Sequence, residues 1–163
     1  MPIDPTTPLG VTLALLPEIV LSVAALAVLL VVSWRHEGPR DSRLAGWLSL
    51  ASLVLAGIAL YWLSANSPEE PTLGPMMALD GFRYAGSALV LLVTAGSILA
   101  SLGYLERERL LAPEFYILIL LAVVGMLFMV NAEDLIVLFL GLETMSVAVY
   151  VLAGYDRGSA FSA

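Results

Sequence analysis

Leu135 to Ala153 reads LIVLFLGLETMSVAVYVLA, an unbroken apolar run with a single charge, Glu143, near its middle. A run of this length is what an α-helix needs to cross a bilayer. At 1.5 Å per residue, Glu143 lies roughly 12–15 Å from either end of the run. Its carboxyl therefore falls close to the bilayer midplane. An acid at that depth costs about 2.5–3.5 kcal/mol on insertion scales. Acids retained there are candidate functional groups, so the chain has to be searched for what Glu143 works with.

The composition bounds the answer. Of 163 residues, 60% are hydrophobic and only 13% are charged, against about 25% in a soluble domain. The chain reads as an all-α polytopic membrane protein. It has no cysteine, which excludes disulfides, thiolate zinc sites and iron–sulfur ligation. His36, the single histidine, stands among Arg35, Glu37 and Arg40 and reads as a solvated loop residue. A net charge of −7 without a basic cluster argues against a nucleic-acid partner. No dinucleotide glycine fingerprint, phosphate loop or paired-histidine site is present, so no cofactor or metal is expected on this chain. All seven basic residues are arginines. Arginine stays protonated, whereas lysine can release a proton when buried. A titrating basic partner for Glu143 is therefore missing.

Hydropathy predicts five spans in one membrane domain, at about 11–34, 44–64, 83–105, 114–130 and 135–153. The first ten residues carry no base and precede a long apolar segment, so they read as leading into a retained helix rather than a signal peptide. Pro17 is expected to kink the first helix or begin it. Glu18 beside it is expected near one end, reaching water and complementing the helix dipole. Ser49, Ser52, Ala56 and Ala59 form a small-residue stripe suited to close helix packing. Residues 65–82 hold three prolines and two glycines, too many for a continuous helix. There Asp80 marks a turn or caps the next helix, and Glu69, Glu70 and Asp80 match no calcium loop. Ser87, Thr94, Ser97 and Ser101 either bond back to their own helix or line a watery path. Met126, Phe128 and Met129 read as packing or lipid-facing residues. Pro113-Glu114 is a helix start. The four residues Asn131 to Asp134 force the last two spans into a hairpin, with Asp134 as the N-cap of the fifth.

Sorting the connections alternately puts Arg35, Arg40, Arg43, Arg107, Arg109 and Arg157 on one side and Arg83 on the other. The positive-inside rule then places the N-terminus outside and the C-terminus in the cytoplasm.

On the fifth helix, Ser146 and Tyr150 stand about 60° and 20° from Glu143 at 100° per residue. These three form one polar stripe, and Gly141 is expected to thin the helix beside the acid. A carboxyl removed from water is held neutral, and one beside a cation ionises. Coupled to a movable partner, it can load and unload a proton. Bonded statically to a neighbouring helix, it is only glue. The residues alone leave both readings open.

The run APEFYILILLAVVGMLFMVNAEDLIVLFLGLETMSVAVYVLAGYDR, Ala112 to Arg157, resembles the antiporter-like subunit N family of bacterial NADH-quinone oxidoreductase, respiratory complex I. LLPEIVLSVAALAVLL, Leu15 to Leu30, and LDGFRYAGSALVLL, Leu79 to Leu92, are similar to the early helices of the same family. GLETMS is the most specific segment. The resemblance implies a multi-pass subunit of the bacterial inner membrane that moves protons as quinone (ubiquinone or menaquinone) is reduced elsewhere in the complex. NADH and quinone would be used by the parent complex, with its other membrane subunits and the lipid bilayer as partners. Glu143 occupies the family's proton-handling position, with Ser146 and Tyr150 as its supporting polar face. The family pairs that glutamate with a lysine two helices later, beyond Ala163. The chain is therefore expected to be an N-terminal portion that does not pump alone. The rival readings are a subunit of a multi-subunit sodium/proton antiporter and a non-catalytic membrane scaffold.

Overall fold

A computed structural model describes residues 7–35, 39–66, 72–73, 77–107 and 113–155. His36, Glu69, Glu70, Arg109 and Arg157 lie outside them. The elements are α1 (Pro8–Ala14), α2 (Leu16–Arg35), α3 (Pro39–Asn66), β1 (Thr72–Leu73), β2 (Ala78–Leu79), α4 (Gly81–Arg107), α5 (Pro113–Asn131) and α6 (Leu135–Ala153). Five of these helices are long and apolar enough to cross a membrane.

The first apolar segment is not the single helix that hydropathy predicts. It divides at Leu15 into the short α1 and the spanning α2. Thr7 caps α1 by accepting from the Gly10 N–H at 3.1 Å, with Pro8 in the first turn. Pro17 falls in the first turn of α2, where its missing N–H has no intrahelical partner to lose.

The centre of the bundle is α5, which contacts α2, α3, α4 and α6. Tyr116, Leu120, Val123 and Leu127 are buried on it, and Met126 and Phe128 pack against the same core. The small-residue stripe of α3 is buried as expected: Ser49, Ser52, Ala56 and Ala59 are all inside. Ser52 donates to the Ser49 carbonyl at 2.7 Å, so its polarity is met within the helix. The hydroxyls of Thr94, Ser97 and Ser101 are likewise committed to α4, on the carbonyls of Val90, Val93 and Ile98. These three bonds are the back-bonding alternative, and Ser87, the fourth hydroxyl of the row, is buried.

α5 and α6 form an antiparallel hairpin. Gly125 and Gly141 bring the two backbones together: a Cβ at Gly125 would stand 2.5 Å from the Met145 nitrogen and 2.6 Å from the Gly141 carbonyl oxygen. Asp134 caps α6 by accepting from the Ile136 N–H at 3.0 Å. At the same end of the bundle, β1 pairs with β2 antiparallel, Thr72 with Leu79 and Leu73 with Ala78. Met77 bridges to Ala132 in the α5–α6 link. Leu79 joins Ala14 and Leu63 in a second small apolar cluster there.

Candidate functional site

Of the five spans α5 is the most buried, and the helix that carries Glu143 is the least. Its buried residues are Gly141 and Ala148, the positions that meet α5. At 100° per residue these lie about 160° and 140° from Glu143. Gly141 therefore does not thin the helix beside the acid. It sits on the opposite face and serves the α5 contact. Glu143 and Tyr150 are exposed, and Ser146 is partly exposed. The polar stripe faces directly away from the bundle that holds α6 in place.

A second ionisable group is buried where hydropathy predicts an exposed one. Glu18 is 2% exposed and does not reach water. Alternate helices run in opposite directions, so the first turn of α2, the first turn of α4 and the last turn of α5 share one end of the bundle. There Glu18 meets Arg83 and Asn131, both fully buried. Asn131 belongs to the last turn of α5 rather than to the link after it. Its Nδ2 donates to Glu18 Oε1 at 2.7 Å. Arg83 Nη2 approaches the same oxygen at 3.4 Å.

Arg83 is seated mainly by backbone. Nη1 donates to the Ala78 carbonyl at 3.1 Å, and Nη2 donates to the Ala14 carbonyl. Asp80 accepts from the Arg83 N–H at 2.8 Å and caps α4, so its carboxylate is committed to the helix end. Glu18 Oε2, Arg83 Nε and Asn131 Oδ1 are buried without a hydrogen bond to the described residues. A buried polar atom left unpaired costs about 1–3 kcal/mol, so the knot is stabilised on one side only. Sequence spacing hides this trio, since its members are 65 and 113 positions from Glu18. The available signal was positional: each polar residue sits in a terminal turn at the same end of its helix.

Among the described residues no group of three or more histidine, cysteine or acidic side chains can hold a metal ion. Five apolar helices, one acid on an outward face and one acid buried against arginine define a polytopic α-helical membrane protein with ionisable groups inside its spans.

No family model matches the chain. It is 41% identical over 144 residues to NADH-quinone oxidoreductase subunit N of Rhodospirillum rubrum, covering 87% of this chain and 29% of that protein. The Paramagnetospirillum magneticum subunit N is 38% identical over 146 residues, 89% of this chain and 29% of its own length. The Erythrobacter litoralis subunit N is 34% identical over 152 residues, 91% and 31% respectively. Along nearly its whole length the chain is similar to these NADH-quinone oxidoreductase N subunits, and it spans about three-tenths of their length.

Proposed function

We propose that the chain is the N-terminal portion of a proton-translocating subunit in the membrane arm of NADH-quinone oxidoreductase, with Glu143 as its intramembrane proton-handling carboxyl. The observation that carries this reading is the outward placement of Glu143. Gly141 and Ala148 take up the α5 contact on one face of α6, leaving the acid on the other with Ser146 and Tyr150. An acid facing lipid is costly, so this face needs a polar cover from protein or water. Later helices of the complete subunit supply that cover and the titrating base that this chain lacks. Ser146 and Tyr150 are the hydrogen-bonding groups nearest to hand for the carboxyl. Proton transfer through Glu143 then follows the charge state of its partner: a cation close by favours release, and its departure favours uptake.

NADH and quinone are handled by other subunits of the complex, and this chain binds neither. Its setting is the bacterial inner membrane. Arg83, the one arginine at the N-terminal end of the bundle among the described residues, is buried and hydrogen-bonded. Among the described residues that end therefore presents no basic side chain to the membrane surface. The positive-inside rule puts it outside and the C-terminus in the cytoplasm.

Reconstituted in vesicles, the 163-residue chain is expected to show no proton uptake above empty vesicles under an imposed gradient. In the complete subunit within its complex, Glu143→Gln is expected to abolish proton transfer coupled to quinone reduction. Full coupled transfer by that variant would reduce Glu143 to an interhelical contact and the chain to a scaffold.

A further inference from the structure

The contacts of Glu18 are lopsided in a way that a fixed anchor would not need. Its Oε1 accepts from Asn131 at 2.7 Å and lies 3.4 Å from Arg83, while Oε2 is buried and accepts nothing from the described residues. A carboxylate locked to arginine uses both oxygens against the guanidinium fork. Here the fork is turned elsewhere. Nη1 is on the Ala78 carbonyl, Nη2 also serves the Ala14 carbonyl, and Nε is unpartnered. Arg83 is thus held by α1 and β2 whatever the charge on Glu18. A proton added at Oε2 breaks no hydrogen bond. It creates a donor in a cluster where Asn131 Oδ1 is a buried acceptor without one.

We propose that Glu18 is a second proton-exchanging carboxyl of this chain, with Oε2 as the atom that takes the proton. Local opening of the terminal turns admits hydronium, which gives one proton to the buried Oε2 and leaves as water; Oε1 stays on Asn131, and Arg83 stays on its two carbonyls. Among the described residues the groups facing Glu18 are few. α1 (Pro8–Ala14) carries no charged residue, and α3 brings apolar Leu63 to this end of the bundle. α4 brings Arg83, with Asp80 occupied as its cap, and α5 brings Asn131. Glu133 and Asp134 lie in the α5–α6 link at this end, Arg83 is the cation paired with Glu18 among the described residues, and the site stands apart from the outward stripe on α6.

The test is a pH-difference infrared titration of the 163-residue chain in lipid nanodiscs. The wild-type spectrum is expected to contain a protonated-carboxyl component that is lost in Glu18→Gln and kept in Glu143→Gln. Gln retains the Oε1 acceptor for Asn131, so the variant keeps its helical circular dichroism. Asn131→Ala leaves Glu18 in place and is expected to shift the same component in frequency. Either of two results overturns the proposal. One is coincident wild-type and Glu18→Gln spectra in the carboxyl region across the pH range where the chain stays helical. The other is a component indifferent to Asn131→Ala.

Discussion

Asn131, the last residue of α5, donates its side-chain amide to Glu18 in the first turn of α2 at 2.7 Å, across 113 positions of sequence. The bond ties the start of the first span to the turn from which α6, and with it Glu143, departs. Replacing Asn131 by Ala should weaken the bundle by about 1.5–3 kcal/mol, the range for a hydrogen bond to a charged group. The check is the thermal midpoint of the chain in detergent, with Asn131→Asp expected to fall further because it sets two acids together. An unchanged midpoint for both variants would show that the contact contributes nothing.

Arg83 and Glu18 are each buried, so removing one partner should be worse than removing both. Arg83→Met strands a carboxylate and is expected to cost about 3–5 kcal/mol. Adding Glu18→Leu to it should restore most of that loss. Recovery stays incomplete because the Ala14 and Ala78 carbonyls have lost their donor. A reversible unfolding assay in mixed micelles, run as a double-mutant cycle, reads the coupling. Strictly additive losses would argue against an interaction between the two side chains.

The α5–α6 hairpin depends on the absence of side chains at its closest approach. Gly125→Ala forces a methyl against the backbone of Met145 and Gly141. Overpacking of this kind costs about 1–3 kcal/mol. Gly57 on α3 has open space where a Cβ would stand, so Gly57→Ala should be neutral or raise stability by up to about 1 kcal/mol through helix propensity. The thermal midpoint of Gly125→Ala should fall, and that of Gly57→Ala should hold or rise. A matched loss in both would mean that glycine is needed in these helices for some reason other than packing.

Glu143 is exposed on the face of α6 opposite the buried Gly141 and Ala148, which separates its two readings. Glu143→Gln should leave the melting midpoint and helical content of this chain within error of wild type. The same substitution in the complete subunit should lower proton transfer by at least tenfold. A large loss of stability in the isolated chain would make the acid a structural element of the five-helix unit.

What could be read from residues in order was whatever is local. Five apolar stretches are set by composition over about twenty residues. The cap at Asp134, the Pro113 start and the back-bonded hydroxyls of α4 depend on neighbours three or four positions away. The α3 stripe could be read for the same reason, since its spacing repeats with the helical turn. Gly141 shows where local reading stops. It is two residues from Glu143, yet on a helix that separation points the other way, so nearness in sequence became opposition in space.

The sequence by itself determined five stretches long and apolar enough to cross a membrane, one of them with an acid near its middle, because hydrophobic transfer is additive along a segment. Only the tertiary structure decided which acid is buried. Glu18 is next to a proline at a helix start, a setting in which an acid ordinarily meets water. Two groups contributed by α4 and α5 enclose it, and no local pattern encodes their arrival. Glu143 has the opposite history. Its helix docks through Gly141 and Ala148, so the residue that the sequence singles out is the one that these five helices leave facing outward.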